Sequence, residues 1–136
     1  MHVEVGMSAE VRRTVGPGMI AEDFGNAGVR VLATPALIAL IEEAGALAIA
    51  PGLEPQERSL GTHLDVKHLA ATPAGMEVVA RATVVGVEGR RVYYAVEAHD
   101  AHDKVGEGRM ERFVVDLPRF QQRVDRKRAA TPDASA

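Results

Sequence analysis

One long apolar segment bounded by proline at both ends constrains this chain more than any other feature. Thr34 stands where an N-cap belongs, and Pro35 takes the first helical position, where a missing N–H costs nothing. Leu37, Ile38, Leu40, Ile41, Ala44, Leu47 and Ala48 then recur at three- and four-residue spacing until Pro51-Gly52 ends the run. The spacing predicts a helix over residues 34–50. Its apolar stripe covers most of the girth, so the helix is expected to be nearly surrounded by protein.

The rest of the sequence must supply that cover, and its period changes accordingly. Residues 59–69, 76–87, 91–100 and 105–116 read as Val-rich strands separated by short turn segments. Short connections predict antiparallel neighbours, hence a meander of four long strands. Before the helix, residues 1–15 alternate as a strand, clearest over 10–15, up to Gly16-Pro17-Gly18, and residues 19–33 read as loop with an extended piece at 29–32. Residues 117–128 read as a short basic helix. The expected domain spans 1–128, with 129–136 a frayed tail. The class is α+β, an antiparallel sheet wrapped around one long central helix. Such a sheet leaves an edge to cover, and pairing with a second copy would cover it, so a homo-oligomer is expected.

A chain of 136 residues is one domain's worth. It has no Cys, which removes disulfides, thiol nucleophiles and Cys-based zinc sites together. Absence of Trp and an aromatic content of 4% leave little for a base-stacking surface. A net charge of −3 gives no global attraction for phosphate backbones or anionic membranes, so no nucleic-acid partner is expected. No signal-like start and no apolar run of about 20 residues is read in it, so no membrane association is expected and the default is a soluble cytoplasmic protein.

The signatures of P-loop, Rossmann, nucleophile-elbow and zincin chemistry are all missing, and with three serines a Ser nucleophile is a poor candidate. Glu42 and Glu43 interrupt the apolar helix. A carboxylate buried there would have a raised pKa and suit a general base, whereas two solvated carboxylates are the plainer reading. The wheel separates them: Thr34, Ile38 and Glu42 share a face, with Glu43 rotated by ~100°. Strand parity puts Leu60, Thr62, Leu64, Val66 and His68 on one face, with His68 at its apolar rim, and Gly61, His63, Asp65 and Lys67 on the other. His68 could move a proton or be tied to a carbonyl. His99-Asp100-Ala101-His102-Asp103 could bind metal, but it falls in an expected turn where Asp is ordinary, so no metal is expected. Arg119, Arg123, Arg126, Lys127 and Arg128 could touch ligand phosphates or form a solvated face. Arg112 shares an apolar face with Met110 and Val114 and so needs an internal carboxylate or a ligand as partner.

Several of these segments, in this order, resemble the hotdog-fold thioesterases related to fluoroacetyl-CoA thioesterase: the helix from Thr34, Ser59-Leu60-Gly61-Thr62, His68 to Gly75, the turn Val87 to Arg91, and Gly106-Glu107-Gly108 with Glu111-Arg112. The resemblance covers about three-quarters of the chain. It implies a hotdog fold, a homodimer or dimer of dimers with sites at the protomer interface, and hydrolysis of an acyl-CoA substrate without metal or other cofactor. By position it puts the catalytic Thr, Glu and His at Thr34, Glu42 and His68, and the substrate-lining Gly and Arg at Gly61 and Arg112. Thr34 and Glu42 are eight positions apart, ~12 Å along one helix, so they cannot touch directly. Either the substrate spans them, or the chain before Pro35 folds back, or two protomers combine, the last two being favoured. The aromatic lid of the fluoroacetyl-specific member has only Phe24 near the corresponding stretch, so fluoroacetyl selectivity is not carried over. A small or medium acyl group is expected, on CoA or on acyl carrier protein. A non-catalytic acyl binder and a hotdog enoyl-CoA hydratase are the alternatives.

Overall fold

The protein is described here by a computed structural model, over residues 1–132. Val78, Ala80, Ala82 and Val84 on one strand and Val92, Tyr94, Val96 and Ala98 on the next are buried at every second position, as a sheet with one covered face requires. In chain order the elements are β1 (Ser8–Thr14), a 3-10 turn (Ala21–Phe24), α1 (Thr34–Ile49) with a 3-10 continuation (Ala50–Gly52), β2 (Glu57–His68), β3 (Glu77–Glu88), β4 (Arg91–His99), β5 (Lys104–Asp116) and α2 (Leu117–Ala129). All four long strands stand within two residues of their expected bounds. The 3-10 turn within 19–33 was read as loop. α2 runs one residue past the expected domain boundary, and the part of the expected tail from 133 on lies outside the described residues.

The five strands form one antiparallel sheet in the order β1-β3-β4-β5-β2. The meander therefore holds for β3, β4 and β5 but not for β2, which pairs with β5 at the far edge. Thr72-Pro73-Ala74-Gly75 looks like a hairpin turn in the sequence. Its backbone is used otherwise: Thr72 O accepts from Leu32 N–H, Ala74 N–H donates to Arg30 O, and Gly75 N–H donates to Val15 O. Eight residues between His68 and Glu77 can span up to ~27 Å, and crossing three strand spacings needs only ~14 Å, so the link carries the chain from one sheet edge toward the other.

The sheet curls around α1, which buries Ala36, Leu37, Leu40, Ile41, Ala44, Gly45, Ala48 and Ile49. Gly45 lets Met110 close against the helix, and the buried Tyr94 hydroxyl donates to Gly45 O at 2.9 Å. The helix is not surrounded, contrary to the expectation from its stripe. Pro35, Ala39, Glu43, Leu47 and Ala50 are exposed along one side, Leu47 at 49%, and Thr34 is exposed at the helix start. With its continuation, residues 34–52 are long and apolar enough to cross a bilayer by length and composition, which the reading of the apolar runs had not anticipated. Half of that stretch is buried under the sheet, as befits a core helix.

Candidate active site

Two clusters lie along the side of α1 that faces β2. The first is at its N-terminus. Ala33, not Thr34, is the cap residue, and it makes no side-chain cap bond. Thr34 is already helical, so its hydroxyl is not spent on capping and instead meets His68 Nδ1 at 2.8 Å. His68 ends β2, held there as Leu69 N–H donates to Val105 O. Its Nε2 is buried and has no hydrogen-bond partner. A buried ring nitrogen left unpaired costs free energy unless a ligand or a second chain completes it.

The second cluster is two helical turns further on. Register shifts between Gly61 and His63 leave Thr62 opposite no residue of β5. This β-bulge inverts the side-chain alternation, so Ser59 and Gly61 point to the same face as Leu64, Val66 and His68. Uninterrupted parity had put Gly61 among the charged residues and Leu60 inward; Leu60 is instead 38% exposed and Gly61 abuts the Glu42 carboxylate. A Cβ at position 61 would overlap Glu42 Oε1.

Arg112 binds this second cluster together. Its Nε donates to Ser59 Oγ at 2.9 Å, Nη2 to Ser59 O at 2.8 Å and Nη1 to Glu42 O at 3.3 Å, with Glu42 Oε1 at 4.0 Å. Burial lowers the Arg112 pKa, with the Tyr94 and Glu42 charges acting the other way. Guanidinium basicity is high enough that it stays charged. Burial likewise pushes the Tyr94 phenol up to about 12, against the pull of Arg112. Tyr94 therefore stays neutral. Glu42 itself is 39% exposed, between the buried base and the solvated carboxylate that the sequence left open. Glu43 is a surface residue, ion-paired with Arg13 at 2.6 Å.

All five residues singled out from the sequence thus line one side of α1, in two groups: Thr34 with His68, and Glu42 with Gly61 and Arg112. Within one chain the groups do not meet. Ser59, which the sequence offers only as a poor nucleophile and within the resembling segment, supplies two of the Arg112 acceptors. The signal for it lay in the demand of Arg112 for inward partners, but the bulge hides which residues of β2 face inward. His63 is exposed. Asp100 closes its turn, accepting from His102 N–H, Asp103 N–H and Thr72 Oγ1. Among the described residues no group of three His, Cys, Asp or Glu could hold a metal ion.

Residues 15–117 match the family of fluoroacetyl-CoA-specific thioesterases. The fluoroacetyl-CoA thioesterase of Streptantibioticus cattleyicolor is 46% identical over 100 residues, which cover 74% of this chain and 72% of that protein. A point mutant of the fluoroacetyl-CoA thioesterase FlK, solved in complex with acetyl-CoA, superposes with a TM-score of 0.85 at 37% identity, over 92% of this chain and 98% of that one. A thioesterase superfamily member from Thermus thermophilus superposes with a TM-score of 0.82 at 29% identity, over 96% and 98% of the two chains.

Proposed function

This chain belongs to the family of fluoroacetyl-CoA-specific thioesterases, and on that premise we propose that it uses Thr34, Glu42 and His68 in a site completed by a second copy of itself. It is a hotdog-fold thioesterase that hydrolyses an acyl-CoA thioester. The observation that carries the finer reading is the buried, unpartnered Nε2 of His68 beside the start of α1.

If Nδ1 accepts the Thr34 hydroxyl proton, Nε2 carries hydrogen and needs an acceptor that its own chain does not supply. A carboxylate of a second copy, or the departing thiolate, would meet that need. The open side of α1 supports the dimer: Leu47 is exposed there, beside a groove of about 500 Å³ that Leu47, Leu53, Pro55 and Ser59 help to line.

Glu42 acts as general base for water or as the nucleophile. In the first route it takes a water proton as oxygen attacks the thioester carbon. The C–S bond then breaks, and the proton passes to the CoA thiolate. Backbone N–H groups at the Gly61 bulge are suited to the developing oxyanion, because the bulge leaves a residue outside the ladder. Arg112 holds the Glu42 main chain and β2 in register. Thr34 orients the reacting group. Phe24, the one aromatic near the lid stretch, is on the 3-10 turn and 52% exposed, and the acyl group in this reading is small or medium, without selectivity for fluoroacetyl.

Glu42→Gln tests the assignment. Thiol release from the best substrate in an acyl-CoA panel should fall by about 100-fold or more. Near-normal turnover would overturn the role given to Glu42, and fluoroacetyl-CoA outpacing every other substrate by orders of magnitude would overturn the acyl reading.

A further inference from the structure

α2 leaves most of its apolar side to solvent. Leu117, Phe120 and Val124 share that side; Leu117 and Val124 are 38% and 39% exposed, and only Phe120 is partly buried, with the Arg123 guanidinium 6.0 Å from its ring. The opposite side, Arg119, Gln122, Arg123 and Arg126 at spacings of three and four, faces the body of the domain. There it closes a cleft of about 400 Å³ against Phe113, Val115 and Arg90. An isolated surface helix would turn the apolar side inward.

Three of the four guanidiniums in this cleft have no counter-charge among the described residues. Arg119, Arg123 and Arg126 make no ion pair among the described residues. Arg90 is already held by the buried Glu57 at 3.0 Å. The Asp116 carboxylate also lines the cleft, but it accepts the Arg119 backbone N–H as the α2 cap. Five of the sixteen Lys and Arg side chains lie on α2, against the single carboxylate of Asp125, in a chain whose net charge is −3. Like charges one turn apart repel, and an anion between them would turn that repulsion into binding.

We propose that this cleft binds the nucleotide phosphates of coenzyme A. The inference rests on the thioesterase reading and names how the far end of its substrate is held. Guanidinium forks match phosphate oxygens two at a time, and Phe113 with Val115 forms an apolar wall against which a purine can lie. The volume is within the ordinary range for a small-molecule site. β5 links the two ends: Arg112 lies in the acyl cluster and Asp116 at the cleft, four residues or ~14 Å along the strand. A pantetheine arm has the reach of about four extended residues. Arg112 and Phe113 point to opposite faces of β5, so the arm would round the sheet end where β2 begins.

The test combines Arg119→Gln, Arg123→Gln and Arg126→Gln in one chain, with circular dichroism confirming that the fold is kept. Adenosine 3′,5′-bisphosphate should bind the unaltered protein in calorimetry, weaken with added salt, and bind the variant at least about tenfold less tightly. KM for an acyl-CoA should rise similarly with kcat little moved, while hydrolysis of the S-acyl pantetheine, which lacks the nucleotide, changes far less. Failure of the bisphosphate to bind the unaltered protein, or equal KM values, overturns the proposal. So does a variant that loses only turnover of acyl carrier protein thioesters, since the cleft would then dock an acidic protein. An unaltered protein that binds the bisphosphate but releases no thiol from any acyl-CoA would sink the thioesterase reading and leave the cleft's ligand standing.

Discussion

Gly61 has no side chain because the Glu42 carboxylate occupies the place where one would be. Glu42 is flexible and partly exposed, so in Gly61→Ala the carboxylate should swing away at little cost to the fold. We therefore expect kcat/KM to fall by about 100-fold, the order of loss that misplacing a reacting group brings, with a melting temperature close to that of the parent. A large loss of melting temperature instead would mean that Gly61 is needed for the sheet. Ser59 predicts the reverse balance. Ser59→Ala removes the Oγ acceptor of a buried guanidinium while the main-chain acceptor at Ser59 O remains. Urea unfolding should show a destabilisation of about 1–3 kcal/mol.

Among the connections, the β2–β3 link depends on one contact with the turn between β4 and β5. Thr72 is fully buried, and its hydroxyl donates to Asp100 Oδ2 at 2.9 Å. Burial raises the Asp100 pKa, but the His102 and Asp103 N–H groups and the Thr72 hydroxyl outweigh it, and the net shift is downward. A carboxylate whose folded pKa is depressed contributes its stability above the unfolded value and loses it as pH falls through the folded one. Asp100→Ala should cost about 1–3 kcal/mol at neutral pH, because Thr72 is left without its acceptor. The gap in melting temperature between parent and variant should hold from pH 7 to 5 and narrow below about pH 4. A gap that does not change with pH would show that the carboxylate charge is irrelevant to the turn. Thr72-Pro73 and the Asp100 turn are each legible as turns in the sequence. That one fastens the other is not, because twenty-eight positions separate them.

For the whole molecule, the open side of α1 decides the matter. An apolar helix side with an exposed Leu47 at its centre is a surface for a second copy in our proposal, and Leu47→Asp would place an unpaired charge in that contact. Sedimentation should then show the variant shifted toward monomer, with thioesterase activity falling in parallel. An unchanged mass with unchanged activity would place the contact elsewhere on the protein. In that proposal the second copy covers the part of the apolar girth of α1 that this chain's own sheet leaves open.

By itself the sequence determined the elements and the identity of the reactive groups. Periods of 3.6 and 2 are local properties, so α1 and four strands could be read within two residues, and absence of Cys with few Ser left carboxylate, hydroxyl and imidazole as the available chemistry. The wheel alone separated Glu42 from Glu43, because both belong to one helix. Tertiary structure decided what depends on pairing across the chain. The place of β2 beside β5 depends on where an eight-residue link finds its hydrogen bonds, and the inward turn of Gly61 on a bulge that no composition marks. The contact of Thr34 with His68 comes from residues 34 positions apart, brought together only when the sheet closes over the start of α1. One inserted residue in a ladder reverses every side chain on one side of it, and only the partner strand reveals where it is.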